Sequence, residues 1–201
     1  MDIKDIIETL EQLNYFKFLK QEDIKLFKGC LVENLEKGWL DMPNQVQLDL
    51  KRGKGTKRNK PGSADKRSCI VNGEYVFRGG LEATLNEFQP IFEVRNLKLC
   101  IEKDKTVYSE NNQYLNHEIT INERAYQIFK GKLERGDSEM QYLKSLIYLL
   151  NSELIEQGYT SEQFKVLTSL ESLYYLIIDK ETEEFINNLN DKVHSKIIDL
   201  N

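Results

Sequence analysis

Between Lys51 and Arg67 the chain reads KRGKGTKRNKPGSADKR, eight lysines and arginines with one acid. The other residues hold 20 basic and 32 acidic side chains, so a segment of charge +7 sits on a body of −12, for a net of −5. A dense basic segment is chemistry for phosphate, because each cation placed beside a phosphate releases a counterion. Lys51, Arg52, Lys54, Lys57, Arg58 and Lys60 are the candidate phosphate contacts, and the guanidiniums of Arg52, Arg58 and Arg67 have the geometry for bidentate ones. No aromatic residue lies between these cations to stack on bases, and the acidic remainder repels a polyanion. Gly53-Lys54-Gly55-Thr56-Lys57 lacks the spacing of a phosphate-binding P-loop and has no apolar helix after it.

Other reactive groups are few. Asp49-Leu50-Lys51 has the acid-x-Lys form of metal-dependent nucleases, but so does Glu102-Lys103-Asp104-Lys105, and neither has an identifiable second carboxylate. His117 and Glu118 are neighbours on an expected strand, where adjacent side chains face opposite ways unless a bulge intervenes. His117 therefore reads as a strand-edge polar residue. His194 reads as a residue near the end of a last helix, where a partly charged imidazole suits the dipole. Cys30, Cys69 and Cys100 are odd in number and widely spaced, which favours reduced thiols over a disulfide framework or a zinc site. No catalytic residue, metal or cofactor is expected, and the chain reads as a non-enzyme.

The elements that must position these groups follow from periodicity. Ile3, Ile6, Ile7, Leu10 and Leu13 form a helical stripe. A second helix runs from about Gln21 through Ile24, Phe27, Leu31 and Leu35, with Gly38 past its end. Residues 1–40 thus form an N-terminal helical pair. Residues 45–50 alternate as a strand, expected to pair with 68–71 so that 51–67 becomes a basic flexible loop. Asn72-Gly73 predicts a hairpin with 74–77. A short helix from Leu81 should stop or kink at Pro90, and a strand covers 97–102. Asn122-Glu123 joins a hairpin of 117–121 with 124–129. Asp137 is the expected N-cap of the longest helix, which ends at Gly158 and carries Met140, Leu143, Ile147, Leu150 and Leu154. Strands at 164–167 and 173–178 precede a final helix capped by Asp179, with Phe185, Ile186, Leu189, Val193 and Ile197 as its stripe. The order implies a single α+β domain over 1–201, a largely antiparallel sheet with helices packed on one face.

No apolar run approaches the length of a membrane span, and the charged N-terminus is not a secretory signal. A cytoplasmic location without membrane contact is the expectation. Tyr174-Tyr175 places one ring on each face of its strand, and an exposed tyrosine beside Glu171 and Asp179 suits a protein interface. The segments LFKGCLVENLEKGWL, LNHEITINERAYQIFKG and LESLYYLIID together resemble small bacterial α+β proteins of immunity type. That resemblance implies a domain that binds and neutralises a toxin partner, and assigns no residue. A protein-binding domain is the first reading. A nucleic-acid-associated protein using 51–67 is the alternative.

Overall fold

The computed structural model describes residues 1–53, 64–70, 80–109, 111, 113–134, 136–169, 172–189, 192–198 and 200. In chain order the described elements are α1 (Ile3–Gln12), α2 (Gln21–Glu36), α3 (Gln45–Lys51), β1 (Ser68–Ile70) and α4 (Leu81–Glu93). There follow β2 (Ile101–Tyr108), β3 (Tyr114–Ile121), β4 (Arg124–Lys132), α5 (Asp137–Glu156), β5 (Gln163–Ser169), β6 (Ser172–Ile178), α6 (Lys180–Asn187) and β7 (Lys196–Ile198). The class is α+β. The expected sheet is two antiparallel sheets, of order β1-β6-β5-β7 and β2-β3-β4. Contacts group the chain into two compact units, 1–70 with 161–199, and 71–160 with the last two residues.

The first unit begins with a helix pair set by local chemistry. Asp2 caps α1 and Asp5 returns a bond to the Asp2 amide, satisfying two of the donors a helix start leaves open. Gly38, with φ of +85°, ends α2, and its amide bonds Leu35 while that of Trp39 bonds Asn34. Trp39 and Leu40 turn back as the sequence implies, and Leu40 is fully buried. Ile6, Leu10, Phe16, Phe27 and Leu31 from the helical segment meet Leu167, Leu176 and Ile186 in one core. Each such side chain contributes about 1.5–3 kcal/mol on burial.

In the second unit, Asn122 and Glu123 both take positive φ, the conformation a two-residue hairpin turn demands, so β3 and β4 join as expected. Helix α5 packs on β4. Tyr142, Leu143, Leu146, Leu149, Leu150 and Leu154 are its buried apolar residues, so of the expected stripe Met140 is instead exposed and Ile147 half-buried. Gly158, with φ of +75°, follows its end as expected.

Five sequence expectations are corrected. Residues 45–51 are helix, because the Asn44 side chain accepts the Gln47 amide at 3.0 Å and Gln47 returns a bond to the Asn44 amide at 2.9 Å. The strand expected at 97–102 begins at Ile101, since amide side chains occupy the preceding backbone. Gln157 accepts the Lys98 N–H at 2.7 Å, and Asn122 accepts the Cys100 N–H at 3.0 Å. Helix α4 continues through Pro90 to Glu93; the ring forfeits only the bond to Asn86, whose residue is exposed. Gly136, not Asp137, is the N-cap of α5. The final helix stops at Asn187, and Ile197 instead pairs with Leu167 in β7. Leu189 and Val193 stay buried without it. The hairpin expected around Asn72-Gly73 lies outside the described residues; β1 itself pairs with β6.

His194 is accordingly not on a helix. Its backbone N–H bonds Gly38 O at 2.8 Å and its ring lies 5.0 Å from Trp39. A Cβ at Gly38 would stand 3.3 Å from the His194 ring in a left-handed conformation. Gly38→Ala should therefore lower stability by about 1–2 kcal/mol, read as a reduced urea midpoint with an unchanged slope.

Candidate functional site

The sequence-expected contact residues disperse. Tyr174 and Tyr175 are both buried, which corrects the expectation that one is exposed: β6 lies between β1 and β5 and is covered on each face. Cys69 stands opposite Tyr175 across β1, and burial raises the phenol's pKa. Asp179 caps α6, accepting the Thr182 amide at 2.8 Å. Glu171 lies outside the described residues, as do Lys54, Lys57, Arg58 and Lys60.

Both described ends of the basic segment are held by carboxylates. Lys51, on α3, pairs with Glu33 at 2.5 Å, and Arg52 pairs with Asp23 and Asp49. These pairs border a cleft of about 420 Å³ between α2 and α3, with the buried Cys30 among its walls. Burial raises the Cys30 pKa, which withholds the thiolate a nucleophile needs.

Arg67 departs furthest from expectation. It is 1 % exposed and contacts protein where a phosphate was expected. Its Nη1 donates to Glu162 at 2.6 Å and to the Ile177 carbonyl at 3.1 Å, and its Nε donates to the Tyr15 carbonyl at 2.7 Å. The guanidinium lies 5.2 Å from the ring centres of both Tyr15 and Phe18. Asp65 accepts the amides of Arg67 and Ser68 and the Tyr15 hydroxyl. The segment is thus anchored, not a free loop, at its C-terminal end.

The second unit holds two polar clusters that the sequence reading missed. His117 is buried and uses both ring nitrogens, Nε2 with Asp104 at 2.6 Å and Nδ1 with the Tyr142 hydroxyl at 2.7 Å. The β3–β4 register shifts between His117 and Glu118, but the extra residue, Ile128, is on β4, so His117 and Glu118 stay on opposite faces of β3. Gln127 fills the bulge, donating to the carbonyls of His117 and Phe129. In the neutral tautomer the order is carboxylate, imidazole, hydroxyl, the arrangement that activates a nucleophile when the oxygen is accessible. Here the oxygen belongs to a buried tyrosine stacked on Phe129 at 5.2 Å, and burial raises its pKa.

Glu153 is the second centre, 0 % exposed. Arg124 donates to it through two nitrogens, Tyr126 at 2.5 Å and Asn122 at 2.5 Å. Its signal was available in the sequence: a carboxylate beside Leu154, at an angle of α5 that otherwise carries apolar residues. The His117 cluster gave no such signal, because pairing Asp104 with β3 depends on a register that the misplaced start of β2 conceals. Among the described residues no group of three or more His, Cys, Asp or Glu side chains converges as a metal site requires. No described helix is long and apolar enough to cross a membrane.

Two surfaces of the second unit remain. On α5, Met140, Tyr148 and Ile155 are 43 %, 70 % and 59 % exposed. On the β2–β3–β4 sheet, Lys103, Lys105, Lys130 and Lys132 are exposed with Tyr114. Comparison with protein-family models, curated proteins and solved structures finds no match.

Two outcomes follow from the buried polar groups. Glu162→Ala leaves a buried guanidinium without its carboxylate and should lower unfolding free energy by about 3–5 kcal/mol, measured by urea denaturation. Burial pushes the Tyr126 pKa up to about 12 and also raises those of Tyr142 and Tyr175. The unfolded chain releases these protons near pH 10 while the folded chain keeps them. Their contribution is therefore complete below about pH 10 and lost as pH rises through the folded values. A spectroscopic titration should show phenolate from these tyrosines appearing together with unfolding.

Proposed function

We propose that the chain is a non-enzymatic protein-binding domain whose contact surface is the outer ridge of α5. The observation that carries this reading is the exposure of Met140, Tyr148 and Ile155 on one helix face. Positions 140, 144, 148, 151 and 155 succeed one another by three or four residues and so form a single row. Large apolar side chains standing free on one line suit the groove of a partner, where a few aromatic and aliphatic anchors supply most of the affinity. Tyr148 is the strongest of these, a large ring at low conformational cost with a polar tip for the rim.

The interior supports a binder over a catalyst. His117 and Glu153 each direct their polar atoms at neighbouring side chains, and the phenol in line with the histidine is sealed from solvent. In the immunity-type form of the reading the partner is a basic toxin, and the net charge of −5 would speed encounter with it. The free thiols of Cys30, Cys69 and Cys100 support a reducing, cytoplasmic setting.

A photo-crosslinking side chain at position 148 or 155, in cells that express the protein, should capture one and the same protein. The same probe at the exposed Lys180 should not capture it. Tyr148→Ala with Ile155→Ala should weaken binding of the purified pair by roughly 100-fold or more, with the melting temperature unchanged. Equal capture from all three positions would refute the assignment. A dimer of this chain that the double variant abolishes would make the occupant a second copy.

A further inference from the structure

The uncovered face of the β2–β3–β4 sheet is a second surface, on the other side of the sheet from the buried side chains that α5 meets. We infer that it is a binding platform for single-stranded nucleic acid. The cross-strand pairs fix what lies there. Asp104 faces Ile119 and Thr106 faces His117, which turns those side chains inward. Alternation then turns Lys103, Lys105 and Val107 outward. Tyr114 stands opposite Lys132 and Asn116 opposite Lys130, all on the outward side.

Two lysine rows therefore flank a central strand. Within each row the lysines are two residues apart, about 7 Å, a step comparable to one nucleotide of an extended strand. Lys103 and Lys105 stand opposite Thr120 and Glu118, and Lys130 and Lys132 opposite Asn116 and Tyr114, so the four cations run diagonally across β3 and end beside the ring of Tyr114, 55 % exposed. A line of cations with an aromatic ring at its end supplies what a flexible single strand requires: charge for the backbone, a flat surface for a base. The basic segment 51–67 lacks that ring, and this sheet supplies it. Lys103, Lys105 and Lys130 have no ion-pair partner among the described residues, and Lys132 has one exposed partner, Glu134, at 3.3 Å. The one acid facing outward from β3, Glu118, lies opposite Lys105 and accepts from Asn116 at 3.2 Å. An acidic peptide would use the lysines equally well but has no use for an exposed ring at the end of their line, so the arrangement favours nucleic acid.

The inference is independent of the α5 ridge. Its test is fluorescence anisotropy of the full chain with a labelled oligothymidylate of about 12 nucleotides, across roughly 50–200 mM salt. Affinity should fall with salt with a log–log slope near −3, about −0.7 for each of four lysines. Lys103→Glu with Lys130→Glu should weaken binding at least tenfold and halve the slope. Tyr114→Ala should weaken it about fivefold or more with the slope retained, and Lys180→Glu should change nothing. Every substituted side chain is exposed, and circular dichroism of each variant confirms an intact fold. Three results overturn the inference: no binding by the wild type, equal binding of polyglutamate with Tyr114→Ala neutral, or loss only when residues 54–63 are replaced by Gly/Ser linker. The second would assign the face to an acidic peptide, and the third would return polyanion binding to the basic segment.

Discussion

The first unit depends on one buried cation. An arginine out of water is tolerable only where its N–H groups find acceptors and a carboxylate balances the charge. Arg67 directs four of its five side-chain N–H groups at three places in the chain: the carbonyls of Asn14 and Tyr15 after α1, that of Ile177 on β6, and Glu162 just before β5. It returns its own carbonyl to the Ile177 amide at 2.8 Å. The demand of one side chain thus fixes β1 against β6 and seats the aromatic turn of Tyr15, Phe16 and Phe18 over the strand ends. A hydrophobic contact at the same place would tolerate sliding; a guanidinium with directed bonds does not.

The second unit repeats the logic with a carboxylate. Glu153 lies inside the helix–sheet interface and gathers Asn122, Arg124 and Tyr126 from the β3–β4 turn and the start of β4. The hairpin therefore has one register relative to α5. His117 pins the other end, joining Asp104 on β2 to Tyr142 on α5 through both ring nitrogens. Between these clamps the interface is apolar. The polar groups that a search for catalysis would notice first are the ones the fold uses to hold its own register.

Much of the architecture was legible from the residues because its causes are local. The Asp179 cap, the positive-φ ends at Gly38 and Gly158, and the Asn122-Glu123 turn each act within a few residues. The apolar stripes of α1 and α2 and the runs of β5 and β6 are equally local patterns. Errors arose where a local signal was ambiguous. Val46, Leu48 and Leu50 alternate as a strand would, but the Asn44–Gln47 bonds start a helix. Leu97–Glu102 also alternates, yet its backbone is claimed by Asn122 and Gln157 from outside the segment.

What the sequence determined alone was class and the type and boundaries of most elements, together with the presence of an unusually basic segment. What tertiary structure decided was the role of each polar residue. Arg67 finds its partners 95 and 110 positions away, and four scattered lysines share a face only through the pairing of three strands. Caps and turns are short-range interactions that a window of sequence contains. Burial and cross-strand register arise only when distant segments meet, and those two quantities separate a structural charge from one free to bind.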